Sequence, residues 1–211
     1  MTKKQTKRII TISGEPKSGK TTIFRIMQKQ LHGFVHRDLF EIFEKKSGLS
    51  RKNDPDEFYR ANRRIRRAEG GDYFLKRLLL EERNSPQDLI IENVVTPDEM
   101  TYLLKTQRDI LVSLCIFVDT PLALRYESAM EARDIDRNMH LETYRIMFDK
   151  QYGGTMPYEN NIKLMRGCAD IIIPRKTPNG EQMQDFEQFI CNTYMPKIKL
   201  LLDIPAEVLQ G

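Results

Sequence analysis

Tryptophan is absent from this 211-residue chain, and cysteine and histidine occur three times each. Cys115, Cys168 and Cys191 stand apart and are odd in number, so neither a disulfide framework nor a zinc site is expected, and a reducing, cytoplasmic setting fits. The basic N-terminus lacks the apolar stretch of a signal peptide, and no apolar run approaches the roughly 20 residues that cross a bilayer. There is no internal repeat, and no ladder of aromatic residues on which single-stranded nucleic acid would stack. A strong charge bias is also missing. Lys and Arg number 34 against 30 Asp and Glu, a net +4 with pI near 8.9, which suits anionic ligands without demanding a nucleic-acid partner. The length points to one α/β domain with a sizeable core over residues 1–211, and the oligomeric state is not legible.

Against this background, Gly14-Glu15-Pro16-Lys17-Ser18-Gly19-Lys20-Thr21 matches the phosphate-binding pattern G-x-x-x-x-G-K-[ST] at every fixed position. A β-branched run, Arg8 to Ser13, precedes it, and Ile23, Met27 and Leu31 follow at helical spacing, so the loop joins a strand to a helix. Glycines keep side chains out of the way. Backbone N–H groups of residues 15–21 then converge on the β-phosphate at a helix N-terminus, where the dipole also favours anions. A nucleoside triphosphate is the expected ligand, contacted by Gly14 through Thr22, with Lys20 bridging the β- and γ-phosphates and Thr21 on Mg²⁺.

The rest of the chain alternates strand and helix. A second strand over 33–36 leads through Asp38 to a helix over 39–47. Asp54-Pro55-Asp56-Glu57 carries cap, proline and capping-box glutamate for a helix ending near Gly70-Gly71, and a further helix covers 73–82. Residues 89–95 read as a third strand, and Thr96-Pro97-Asp98-Glu99 repeats the cap signature. The apolar run 110–118 reads as a central parallel strand, followed by a helix from Thr120-Pro121, a charged segment over 131–138 and a helix over 141–152. A fifth strand over 169–173, a loop over 174–180 and a C-terminal helix and tail over 181–211 complete the order. These elements predict a five-stranded parallel sheet with helices on both faces, the P-loop NTPase fold. On the helix after Asp54, spacings of three, four and seven bring Arg60, Arg63, Arg64 and Arg67 to one side, as either a solvated face or a phosphate-holding stripe.

In its motif order the chain resembles the nucleoside-monophosphate-kinase-like branch of the P-loop kinases, especially dephospho-coenzyme A kinases and small archaeal and phage kinases. The resemblance spans about Ile9 to Ile190 and rests on the loop, Asp38-Leu39, Ile90-Ile91-Glu92-Asn93, Phe117-Val118-Asp119, Pro121, Arg125, Asn160-Asn161-Ile162 and Ala169-Asp170-Ile171-Ile172. It implies ATP-dependent, Mg²⁺-requiring γ-phosphoryl transfer to a nucleotide-like acceptor. Helices over 39–83 would cover the acceptor, and a lid over 131–138 would bring Arg133 and Arg137 onto the transferring group, although these arginines could equally pair with Asp134 and Asp136. Asp38 is either a helix cap or the base that takes a hydroxyl's proton. Glu92 stands where relatives carry an aspartate that reaches Mg²⁺, and Asn93-Val94-Val95 replaces the glycine and arginine that usually follow. Arg60, Arg64 and Arg67 are candidate acceptor contacts. His36 reads as an incidental strand-end residue. Two other functions compete: a kinase acting on a hydroxyl of a nucleic acid, such as a 5-hydroxymethyl pyrimidine in phage DNA, and an ATP-binding regulator with no acceptor.

Overall fold

A computed structural model of the chain describes residues 7–105, 110–136, 138–156, 158–175 and 185–203. Arg137, the loop after Arg175 and the first residues of the expected C-terminal helix lie outside the described residues. Five strands, β1 (Lys7–Gly14), β2 (Phe34–Asp38), β3 (Asp88–Glu92), β4 (Ile110–Asp119) and β5 (Ile171–Pro174), form one sheet in the order β2-β3-β1-β4-β5. Every pairing is parallel, as expected from the sequence.

A parallel sheet buries both faces, because each crossover lays a helix on one of them. The period of two shows directly: Ile9, Leu89, Ile91 and Phe117 enter one core, and Ile10, Ile12, Ile90, Ile116 and Val118 the other. The first face is covered by α2 (Leu39–Ser47), α3 (Pro55–Glu69), α4 (Tyr73–Glu81), α5 (Pro97–Lys105), α7 (Leu141–Tyr152) and α8 (Ile162–Gly167). The second is covered by α1 (Lys20–Gln30) and by a C-terminal stretch of α9 (Phe186–Phe189), a π-helical turn (Ile190–Tyr194) and α10 (Met195–Leu202). Between β4 and α7 lies α6 (Leu122–Glu131). All the helices assigned by sequence to the acceptor therefore lie on the face opposite α1. An edge-to-face knot of Phe43 with Phe58 (4.6 Å) and Phe74 (5.5 Å) fuses α2, α3 and α4.

The predicted caps form. Asp54 Oδ1 accepts from Glu57 N, and Thr96 and Glu99 make a reciprocal box: Glu99 N donates to Thr96 Oγ1 (3.2 Å) and Thr96 N to Glu99 Oε2 (3.0 Å). Two expectations change. β3 stops at Glu92 instead of running to Val95, because Asn93 takes a left-handed conformation (φ 62°), which a short polar side chain tolerates and a ladder does not. Asn161 caps a short helix, α8, to which no sequence signal was assigned.

Candidate active site

At the C-terminal edge of the sheet, the segment from Gly14 to Thr21 leaves β1 and enters α1. Gly14 (φ 144°) cannot be replaced without strain, since a Cβ there would lie 2.8 Å from the Val118 carbonyl oxygen. Gly19 (φ 98°) turns the backbone into the first turn of α1, so the loop's N–H groups gather at a helix N-terminus. Lys20 Nζ donates to the carbonyls of Gly14 and Glu15, both at 2.9 Å. Burial pulls its ammonium down from 10.5 to about 8, against the opposing pull of Glu92 and Asp38.

The loop's variable positions tie it to its surroundings. Glu15 meets Arg125 of α6 at 2.8 Å, and Arg125 in turn lies over the Phe148 ring (4.5 Å). Burial raises the Glu15 carboxyl, with Arg125 the largest opposing influence. Thus Arg125, one of the residues that carry the family resemblance, holds the loop through a carboxylate. Lys17 pairs with Asp134, and its carbonyl accepts from Arg175 (3.2 Å). Thr120 Oγ1 donates to the Ser18 carbonyl (2.8 Å).

Across from the loop, the register pairs Asp38 with Glu92 and Glu92 with Ile12, so both acids stand level with the end of β1. Asp38 Oδ1 accepts from Phe40 N (2.8 Å), capping α2, and from Asn93 Nδ2 (2.7 Å). Its Oδ2 has no partner among the described residues. Burial raises this carboxyl above the usual range, while the Asn93 and Phe40 hydrogen bonds act against the rise. Cap and free acceptor thus coexist on one side chain.

Glu92 is 8% exposed; its Oε2 lies 3.1 Å from His36 Nε2, and its Oε1 is buried without a partner. An orphaned carboxylate oxygen near Lys20, with the Thr21 hydroxyl opening α1, fits Mg²⁺, which takes one or two protein oxygens and completes its shell with water and phosphate. His36, incidental by sequence, is therefore the partner that orients Glu92, and it packs on Phe24 at 3.9 Å.

Of the other expected residues, Arg133 follows α6 in a left-handed conformation (φ 56°) and is exposed. Arg60 and Arg64 lie on the outer face of α3, 67% and 75% exposed, and both reach Glu57. Arg67 is exposed as well. Arg66 of the same helix is fully buried, 2.8 Å from Glu99, and also donates to the Gly71 carbonyl (2.8 Å) and Thr96 Oγ1 (3.2 Å). It lies eight residues after Phe58, on the apolar stripe, which is the signal the crowd of arginines hides. Three residues near Asp38 were not expected. Arg51, in the turn between α2 and α3, lies over the Phe40 ring (5.2 Å), to which Tyr59 is set edge-on at 6.1 Å, and the Tyr59 hydroxyl meets that of Tyr152 at 2.8 Å.

No protein-family model matches the chain, and no curated protein sequence does. Solved structures match its fold. A shikimate kinase from Bacteroides thetaiotaomicron has a TM-score of 0.56 at 12% identity over 93% of this chain and 99% of that one. Shikimate kinase from Acinetobacter baumannii, in complex with shikimate, has 0.52 at 16% identity over 93% and 95%. A sugar kinase from Janibacter sp. has 0.50 at 16% identity over 96% and 98%. These likenesses show that the chain has the fold of the P-loop kinases. No helix among the described residues is long and apolar enough to cross a membrane.

Proposed function

We propose that the chain is an ATP-dependent, Mg²⁺-requiring phosphotransferase that moves the γ-phosphoryl group onto a hydroxyl of a nucleotide-like acceptor. The observation that carries this reading is Asp38: Oδ1 is fixed by two hydrogen bonds, which leaves Oδ2 open beside Lys20 and Glu92. A fixed carboxylate with one free oxygen and a raised affinity for protons suits a general base, whereas an acceptor phosphate is already ionised and needs none. The acceptor oxygen attacks the γ-phosphorus as its proton passes to Oδ2. The bond from the γ-phosphorus to the bridging oxygen breaks, and ADP leaves. Lys20 and the loop N–H groups hold the charge that accumulates on the phosphates, and Arg133 and Arg137 would approach the same group from the lid. Thr21 and Glu92 would hold Mg²⁺, whose charge would offset that of the phosphates. Two of the matched structures are shikimate kinases and a third is a sugar kinase, which supports phosphoryl transfer to a small molecule. The dephospho-coenzyme A kinase branch stays a reading of motif order.

The test is a product screen with labelled ATP across nucleosides, mononucleotides, dephospho-coenzyme A and modified DNA, run with the native protein and Asp38→Asn. The amide keeps both Oδ1 hydrogen bonds but accepts no proton. Turnover on a hydroxyl should fall about 10²-fold with ATP affinity unchanged. Because burial raises the Asp38 carboxyl, its ionised form costs the fold stability at pH values above the raised pKa, so the variant should be no less stable at pH 7. Equal rates for the two proteins on an alcohol would remove the base. ADP release without any labelled acceptor would favour the regulator.

A further inference from the structure

Resting on the phosphotransferase reading, we propose that Arg51 and Tyr59 form a subsite for an oxyanion on the acceptor, so that the acceptor is an alcohol which also carries a phosphate or carboxylate.

Along this edge of the sheet Arg37 meets Glu82 (2.6 Å), Arg125 meets Glu15 (2.8 Å) and Arg166 meets Asp119 (3.0 Å). Arg51 meets no carboxylate among the described residues. Glu44 accepts its backbone N–H (2.8 Å) and not its guanidinium. Its charge nevertheless lies near enough to act on Lys20, Asp38, Tyr59 and Tyr152 alike. An exposed guanidinium with no salt bridge among the described residues, carrying five donors, is the group best fitted to hold a phosphate or carboxylate in a fork.

The position is built. Arg51 lies over Phe40, whose backbone N–H is the one that fixes Asp38 Oδ1. Tyr59 is set edge-on to the same ring at 6.1 Å, and its hydroxyl meets that of Tyr152. Tyr152 is 4% exposed and stacks on Phe148 (4.8 Å, 13° between planes), the ring beneath Arg125. The anchor of the subsite therefore continues without a gap to the pair that holds the phosphate loop. An oxyanion on Arg51 and Tyr59 would leave the acceptor's hydroxyl to reach Asp38 Oδ2, so one molecule meets the clamp and the base together.

Thermal unfolding of protein saturated with Mg²⁺ and a non-hydrolysable ATP analogue, with inorganic phosphate as the added probe, tests the subsite directly. Phosphate should raise the midpoint of the native protein further, and this increment should be lost in Arg51→Gln and reduced in Tyr59→Phe, with the analogue's own stabilisation intact. In the acceptor screen, nucleoside monophosphates bearing a free hydroxyl and hydroxy-acids form the two anionic arms, which separate phosphate from carboxylate, and neutral nucleosides and hexoses form the third. Arg51→Gln should raise the KM for the best anionic acceptor about 10-fold or more with kcat changed only a few-fold, the range of a charged hydrogen bond removed. Arg51→Lys should recover part of it. A phosphate increment that survives in Arg51→Gln, or a preference for neutral alcohols, overturns the subsite and leaves the phosphotransferase standing. Failure of the ATP analogue to stabilise the native protein overturns the underlying reading, and the subsite with it.

Discussion

The nucleotide side of the cleft is one unbroken segment, residues 14–22, in which strand, loop and helix follow directly. The proposed acceptor side is drawn from the end of β2, the turn after α2, the body of α3, the residue after β3 and the end of α7, bringing Asp38, Arg51, Tyr59, Asn93 and Tyr152 together. The first arrangement needs only local backbone geometry. The second needs several helices to pack correctly on one face of the sheet, so it is where acceptor choice can vary while phosphate binding stays the same. Damage to the first should therefore abolish transfer whatever the acceptor, and damage to the second should change which acceptor is used and how stable that layer is.

The largest effect is expected at Lys20. Lys20→Met should lower phosphoryl transfer about 10³-fold or more on every acceptor, since it removes a cation from the developing charge and leaves the backbone cradle. Titration adds a second readout. In the free protein burial holds Lys20 at about 8. A polyphosphate favours the charged form, so ATP binding near pH 9 should take up a proton, and calorimetry in buffers of different ionisation enthalpy should detect it. The sign for folding is opposite to that of a paired lysine. Between about 8 and 10.5 the unfolded chain holds a proton that the folded chain does not, so the free protein gains stability from this group as pH rises through that window. Lys20→Met should abolish the uptake. Near-native turnover in that variant would end the distinction between the two halves.

The difference also explains what was legible in the sequence. The loop, the caps at Asp54 and Thr96 and the central strand each depend on neighbours within a few residues and could be read, and the alternation of strands with helices implied the five-stranded parallel sheet even though its pairings span many residues. Asp38 could be read as cap or base, but the division of labour between its two oxygens depends on Asn93, 55 residues away. Arg51 lies in a polar turn, Arg51-Lys52-Asn53, that looks like any other connection. Its importance comes from Phe40 and Tyr59 closing on it, and no periodicity carries that. Arg66 is intermediate, since its place on the apolar stripe of α3 was visible but its partner on α5 was not.

Arg66 gives the next largest effect, this time on stability. Its guanidinium and the Glu99 carboxylate are both fully buried, and together they tie α3 to the turn after β3. That turn is also held by Ser13, which donates to the Val94 carbonyl at 2.6 Å, and by Asn161, which donates to the Val95 carbonyl at 2.8 Å. Arg66→Met leaves Glu99 charged and unpaired in the core, which should cost about 3–5 kcal/mol and lower Tm by roughly 10 °C. Adding Glu99→Gln should restore part of the loss. Where Arg66→Met remains folded, acceptor KM should rise while ATP affinity holds, because the displaced segment carries Asn93 and not the loop. Equal losses at both ligands would show that the two halves are not separable.

The smallest effect is expected on the outer face of α3, where the same helix presents arginines to solvent. Arg60 and Arg64 share Glu57, and exposed pairs of this kind contribute between nothing and about 1 kcal/mol. With a small acceptor, replacing Arg60, Arg64 and Arg67 by glutamine should leave Tm and both kinetic constants within a factor of about two, in contrast with the single change at Arg66. A polyanionic acceptor predicts another result, since a nucleic-acid backbone held at several phosphates releases counterions and loses affinity steeply with salt. The log-log salt slope for modified DNA would then become shallower by about one unit for each contact removed, with similar weakening across sequences. Measuring acceptor kinetics for the triple variant over a salt series decides between them: a flat native response assigns this face to solvent and the acceptor to the Asp38 cleft, whereas a steep response that the substitutions flatten extends the acceptor side over the outside of α3.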